Sequence, residues 1–76
     1  MHYMNVIDFA WNGQTLFIEF NGYDAEKDTR FNGMVRVVSG TPYGDMIHPS
    51  RSSLSEACRQ YVVETLEARI ARGDFD

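Results

Sequence analysis

The chain has 76 residues, of which 11 are acidic and 7 are basic, so its formal net charge is −4. This length fits a single domain (1–76) with a thin core, and its five Phe, four Tyr and one Trp exclude intrinsic disorder. A negative charge disfavours binding to a phosphate backbone, because that affinity comes from Lys and Arg, so we expect no direct nucleic-acid binding.

The start of the chain and its cysteine content predict a soluble protein of a reducing compartment. Met1–Asn5 lacks the basic and apolar stretches of a signal peptide, which disfavours secretion and membrane insertion. Cys58 is the only cysteine, so it has no partner for an internal disulfide. We therefore expect a cytoplasmic protein that contacts no membrane.

Asn12-Gly13 predicts a β-hairpin in the first part of the chain. Asn and Gly are the residues that best tolerate the positive φ angles of a two-residue type I′ turn. With this turn, residues whose numbers sum to 25 face each other across the two strands. Side chains alternate along a strand, so one side of the hairpin should face the core. That predicted core side consists of Ile7, Phe9, Leu16, Ile18 and Phe20.

A third strand follows at Met34–Val38, where a β-branched run predicts that Val35 and Val37 face the core. A short additional strand around Tyr23 or Phe31 is left open. From Ser39 to Ser52, repeated Gly and Pro predict little regular structure.

The last part of the chain predicts an amphipathic helix of about eighteen residues. Ser53-Leu54-Ser55-Glu56 fits a capping box, with Ser53 as the N-cap. Apolar residues then recur at spacings of three and four, and Gly73 is a typical terminating residue. We expect Asp74–Asp76 to fray. The recurring apolar residues are Leu54, Cys58, Tyr61, Val62, Leu66 and Ile70.

These elements predict an α+β fold in which a three- or four-stranded antiparallel sheet carries one C-terminal helix, in the order β-β-β-α. One helix covers one face, so the opposite face stays exposed unless residues 41–50 fold back over it. This opposite face would be unusually apolar for a small monomer. Its predicted residues are Met4, Val6, Ala10, Phe17, Met34 and Val38, beside Asp8, Glu19 and Arg36.

No combination of residues predicts a catalytic, metal or cofactor site. His2 lies at the terminus and His48 in a predicted loop, and Cys58 has no neighbouring cation that would activate it as a thiolate. Asp24–Asp28 has the composition of a calcium loop but not its spacing, and the His and Cys are too few for a zinc site. We expect no cofactor and no enzyme activity. The remaining enzymatic hypothesis would use His48.

Asp24, Glu26 and Asp28 place three carboxylates in one predicted loop. They would either form an ordinary solvated surface or steer the protein toward a basic partner, such as a surface that normally holds nucleic acid. Trp11, at the hairpin tip, would either close the edge of the core or project as a contact residue.

The stretch Tyr3-Met4-Asn5-Val6, followed by an aromatic and apolar strand and Asn12-Gly13, resembles the opening hairpin of small phage anti-CRISPR proteins. This resemblance implies a short, non-enzymatic inhibitor that blocks a bacterial host complex by steric occlusion, through its sheet face or its acidic loop. It does not identify the residues that bind.

The leading hypothesis is therefore a protein-binding module, in the form of a phage-encoded inhibitor acting in the bacterial cytoplasm on a basic or nucleic-acid-binding surface. The alternative is an obligate homodimer whose outer sheet faces pair, with a structural or antitoxin-like role. The predicted interface residues are Met4, Val6, Phe17, Tyr23, Met34, Arg36, Val38 and Tyr43.

Overall fold

The computed structural model describes every residue from Met1 to Asp76. Its elements are β1 (Tyr3–Asn12), β2 (Thr15–Asp24), β3 (Thr29–Val38), β4 (Thr41–Tyr43), a 3-10 turn (Asp45–Ile47) and α1 (Glu56–Ala71). The strands form one antiparallel sheet in chain order, and α1 packs on one face of it. The predicted α+β fold is confirmed, with four strands.

The first hairpin turns one residue later than predicted. Asn12 pairs with Thr15, so the two loop residues are Gly13 and Gln14, and only Gly13 has a positive φ (62°). This is the pattern of a type II′ turn, in which glycine occupies the first central position. The numbers of two residues that pair near the turn therefore add up to 27 rather than 25. Because side chains alternate along a strand, a register shift of two residues leaves each side chain on the face of the sheet where it was predicted. Leu16 therefore lies on the core side as predicted.

A β-bulge at Ile7 changes the faces in the first half of β1. Asp8 pairs with Glu19 and Val6 with Phe20, which leaves Ile7 as an extra residue without a cross-strand partner. The predictions for three residues are therefore wrong. Ile7 is half exposed instead of buried, whereas Met4 and Val6 face the core instead of solvent.

β3 and β4 are more extensive than the sequence indicated. β3 begins at Thr29, five residues before the predicted strand, so Asn32-Gly33 lies within it. Val35 and Val37 face the core as predicted. Tyr23 and Phe31 lie within β2 and β3, so no separate strand forms around them. The fourth strand is β4, in the segment that was expected to have little regular structure, and it follows a tight turn in which Ser39 and Gly40 both have positive φ.

The helix begins at Glu56, two residues later than the predicted capping box requires. Its N-cap is Ser55, whose hydroxyl accepts a hydrogen bond from the Cys58 amide at 3.2 Å. Glu56 does not reach back toward the cap and pairs instead with Arg59 at 2.7 Å. Gly73 ends the helical segment with φ 79°, as predicted. The buried stripe of the helix, Cys58, Val62 and Leu66, was also correctly predicted.

The C-terminal tail is ordered, which contradicts the expectation that it frays. Phe75 is only 2% exposed and packs edge-on against Phe9, with 5.1 Å between ring centroids. The indole N–H of Trp11 donates to the Phe75 carbonyl at 2.8 Å, and Arg69 and Arg72 both bind Asp74. Trp11 therefore closes the edge of the core. The sequence indicated the helix stop but not the docking of the three residues beyond it.

Candidate functional site

One face of the sheet points away from α1 and is covered by no other part of the chain. After β4 the chain turns to the core side, where Ile47 is buried, so residues 41–50 do not cover this face. We call it the outer face. By strand register and alternation it consists of Tyr3, Asn5, Asp8, Ala10, Asn12, Thr15, Phe17, Glu19, Asn21, Tyr23, Arg30, Asn32, Met34, Arg36, Val38, Thr41 and Tyr43.

The outer face brings together most of the predicted interface residues. Met34 is 55% exposed and Tyr43 49%, which is high for such large apolar side chains. Met4 and Val6 do not belong to this face, because the bulge turns them toward the core. The predicted interface residues that do belong to it are Phe17, Tyr23, Met34, Arg36, Val38 and Tyr43.

At the centre of the outer face, two cross-strand pairs each combine an apolar and a charged side chain. Phe17 pairs with Arg36, and Glu19 pairs with Met34. The apolar side chains thus lie on one diagonal and the opposite charges on the other. We call these four residues the central quartet. Neither Glu19 nor Arg36 belongs to any ion pair within the chain.

The end of the outer face near the β2–β3 loop is polar and aromatic. Asn5 pairs with Asn21, and Asn21 with Asn32, so three carboxamides form a row across three strands. Next to this row the rings of Tyr3 and Tyr23 stack, with centroids 5.8 Å apart. Sequence reasoning missed both features because the predicted register placed Asn5 opposite Phe20. Only the bulge aligns the asparagines.

The predicted acidic loop divides into one buried and two exposed carboxylates. Asp24 is 1% exposed, so it cannot present charge to a partner as predicted. Glu26 and Asp28 are exposed, and the Asp28 carboxylate accepts a hydrogen bond from the Tyr23 hydroxyl. That hydrogen bond raises the pKa of Tyr23 above its usual value.

Asp24 instead joins the β2–β3 loop to the helix. Its carboxylate accepts hydrogen bonds from the backbone N–H (2.6 Å) and hydroxyl (2.8 Å) of Ser55, and from the amides of Glu26 and Lys27. Burial by itself raises the pKa of Asp24, but these hydrogen bonds outweigh it and hold the pKa below its ordinary value. The carboxylate therefore stays ionised at neutral pH and has a structural function.

His2, Asp24 and Cys58 lie close enough to suggest a metal site or a nucleophilic triad, since one ligand atom from each lies within 4.8 Å of the others. The His2 Nδ1 already accepts the Ala25 amide at 3.0 Å. Burial, together with the negative charges of Asp24 and Glu26, raises the pKa of Cys58 to about 11. The raised pKa disfavours the thiolate, which is the form of cysteine that acts as a nucleophile.

A cavity of about 370 Å³ lies beside β4. Arg36, Tyr43, His48 and Arg51 contribute to its lining, and Arg51 is 3.5 Å from the Asp45 carboxylate. The His48 Nδ1 accepts the Ser50 amide at 3.0 Å, so this ring nitrogen is engaged in the turn and is not available as a base. Asp45 offsets the charge of Arg51 there, and Arg36 also belongs to the outer face.

No family model, curated protein or solved structure matches this chain. No helix has the length and the apolar composition that crossing a membrane requires.

Proposed function

We propose that the protein is a non-enzymatic protein-binding module and that the outer face is its contact surface. The observation that carries this proposal is a complete sheet face left uncovered, with Phe17, Met34 and Tyr43 exposed at its centre and at β4. Exposed apolar patches rimmed by polar residues mark interaction sites. Aromatic residues, Met and Arg are also the side chains enriched in protein interfaces.

The charges on the outer face favour a protein over a nucleic acid as the partner. Arg30 and Arg36 are its basic residues, and Asp8 and Glu19 balance them. A phosphate backbone would gain little from such a surface, because its affinity depends on an excess of cations. A protein surface of mixed charge can match both signs.

A narrower form of this proposal is a phage-encoded inhibitor that occludes a basic surface of a bacterial host complex in the cytoplasm. It rests on the resemblance of the opening hairpin to anti-CRISPR proteins. With Asp24 buried, Glu26 and Asp28 are the loop carboxylates left to steer the protein toward such a partner.

The test is affinity capture from bacterial lysate with the tagged wild-type chain and two variants that introduce the same charge. Phe17→Asp changes the outer face, and Ala68→Asp changes an exposed position of α1. We expect Ala68→Asp to retain the wild-type partner and Phe17→Asp to lose it, while both keep the wild-type circular dichroism spectrum. Retention of every partner by folded Phe17→Asp would show that the contact surface lies elsewhere.

A further inference from the structure

The central quartet is complementary to a rotated copy of itself. Phe17 and Met34 lie on one diagonal, and Glu19 and Arg36 lie on the other. A two-fold rotation about the line from Phe17 to Met34 brings the position of Glu19 to within about 3 Å of that of Arg36, and the reverse, since the strand spacing is about 4.8 Å and the i to i+2 repeat about 6.8 Å. Two copies stacked face to face about this axis would therefore place each Glu19 opposite the other copy's Arg36. Phe17 and Met34 would each meet their own counterpart.

We propose that the outer face binds a second copy of this chain, related to the first by a two-fold axis along the Phe17–Met34 diagonal. This inference rests on the proposed function, since it names the partner of the same surface. Two-fold dimers use one self-complementary patch on both subunits, which is the property of the central quartet. Both of its charges are unpaired within the chain and are available for the two symmetric ion pairs.

The geometry also predicts the strength of the dimer. A diagonal axis makes the strands of the two copies cross at a steep angle, as in orthogonal sheet packing. Four strands are about 19 Å wide, so the overlap covers about 400 Å² of sheet on each copy. This is about half of the roughly 800 Å² per partner in a standard interface. We therefore expect a reversible dimer with a dissociation constant in the micromolar range or above.

Charge reversal followed by mixing tests the axis directly. In a dimer of Glu19→Arg, the new arginine of each copy would face Arg36 of the other copy. In a dimer of Arg36→Glu, the new glutamate of each copy would face Glu19 of the other copy. Each variant alone should raise the dimer dissociation constant about tenfold or more. In an equimolar mixture, a Glu19→Arg copy meets an Arg36→Glu copy with opposite charges at both positions. Sedimentation velocity should then show a heterodimer that forms about as readily as the wild-type dimer.

The matched control is Glu67→Arg, which makes the same charge change at an exposed position of α1 and should leave dimerisation unchanged. A wild-type chain that stays monomeric up to millimolar concentration would overturn the proposal. So would a dimer that Glu19→Arg leaves intact, or two monomeric variants that do not associate when mixed. In each of these cases, selective loss of a captured partner by Phe17→Asp would still support the outer face as a contact surface, so the two proposals can fail separately.

Discussion

Asp24 is the residue on which the junction between the sheet and the helix depends. It ends β2, and its four hydrogen bonds reach the following loop and the N-cap of α1, 31 residues away in sequence. All four donors require an acceptor at this position. If the side chain at this position cannot accept these hydrogen bonds, several buried N–H groups are left without a partner. Leaving them unpaired costs more free energy than the hydrogen bonds themselves contribute.

We predict that Asp24→Asn lowers the free energy of unfolding by about 2–3 kcal/mol, because an amide presents donors where Ser55 also donates. Urea denaturation at neutral pH measures the loss. Glu26→Gln is the matched control, since Glu26 is exposed and replacing its carboxylate by an amide should change the free energy of unfolding little. Equal losses in the two variants would contradict the structural function assigned to Asp24.

The lowered pKa of Asp24 also predicts how stability depends on pH. A carboxyl whose pKa is lower in the folded chain stabilises the fold fully above its unfolded value, 3.8, and loses this contribution as the pH falls through the folded pKa. The wild-type chain should therefore lose stability below about pH 4 more steeply than Asp24→Asn does. Parallel acid profiles from urea denaturation would contradict this prediction.

At the scale of the elements, the bulge at Ile7 decides which residues of β1 face the core. Without Ile7, Val6 and Asp8 become neighbours and keep their partners Phe20 and Glu19 in a regular ladder. We therefore predict that deleting Ile7 preserves the fold and changes the free energy of unfolding by no more than about 1 kcal/mol. Urea denaturation and circular dichroism check this.

Deletion of Glu19, the residue opposite the bulge, is the contrasting variant. β2 is a central strand without a bulge, so losing one residue turns half of its side chains to the wrong face. We expect this deletion to abolish folding. If both deletions lower the free energy of unfolding equally, Ile7 is not an extra residue that β1 can lose while keeping its strand pairing.

The C-terminal tail supplies another element-level prediction. Phe75 is buried against Phe9 and lies under the Arg69 guanidinium, 5.2 Å from its ring centroid. Phe75→Ala should lower the free energy of unfolding by about 3–5 kcal/mol, as replacing other buried Phe residues by Ala does. A chain of this size has little stability in reserve, so the variant should unfold at much lower urea. Phe75→Leu keeps most of the buried apolar surface, so its free energy of unfolding should fall clearly less. A small effect of Phe75→Ala would mean that the tail frays in solution.

The sequence predicted these elements better than it predicted the contacts between them. Alternation and the Asn12-Gly13 signal gave the hairpin, and an error of two in register left the faces unchanged. The bulge shifts the register by one, and nothing in the local sequence of Ile7 distinguishes it from a regular strand residue. The same shift moved Met4 into the core and aligned the asparagine row. Asp24 was assigned to a charged surface because its partner, Ser55, is remote in sequence.

For the whole molecule, the decisive feature is that a single helix covers a single face of the sheet. The domain extends 36 × 22 × 17 Å, so it has one core layer between two structural layers. The outer face adds no second core to the monomer. Its apolar residues therefore contribute little to the stability of one chain. This is why Phe17→Asp can be expected to disturb binding while the fold remains.

The single core layer also predicts how Cys58 reacts. Its thiol is fully buried between the sheet and α1, and burial raises its pKa to about 11, so the native state offers a thiol reagent neither access nor a thiolate. Exposing it requires the helix to leave the sheet, which in a two-layer domain removes the core. We therefore predict that the urea dependence of Cys58 labelling at neutral pH matches the m-value of global unfolding. Rapid labelling without denaturant, or a much weaker urea dependence, would show that α1 detaches while the sheet stays folded.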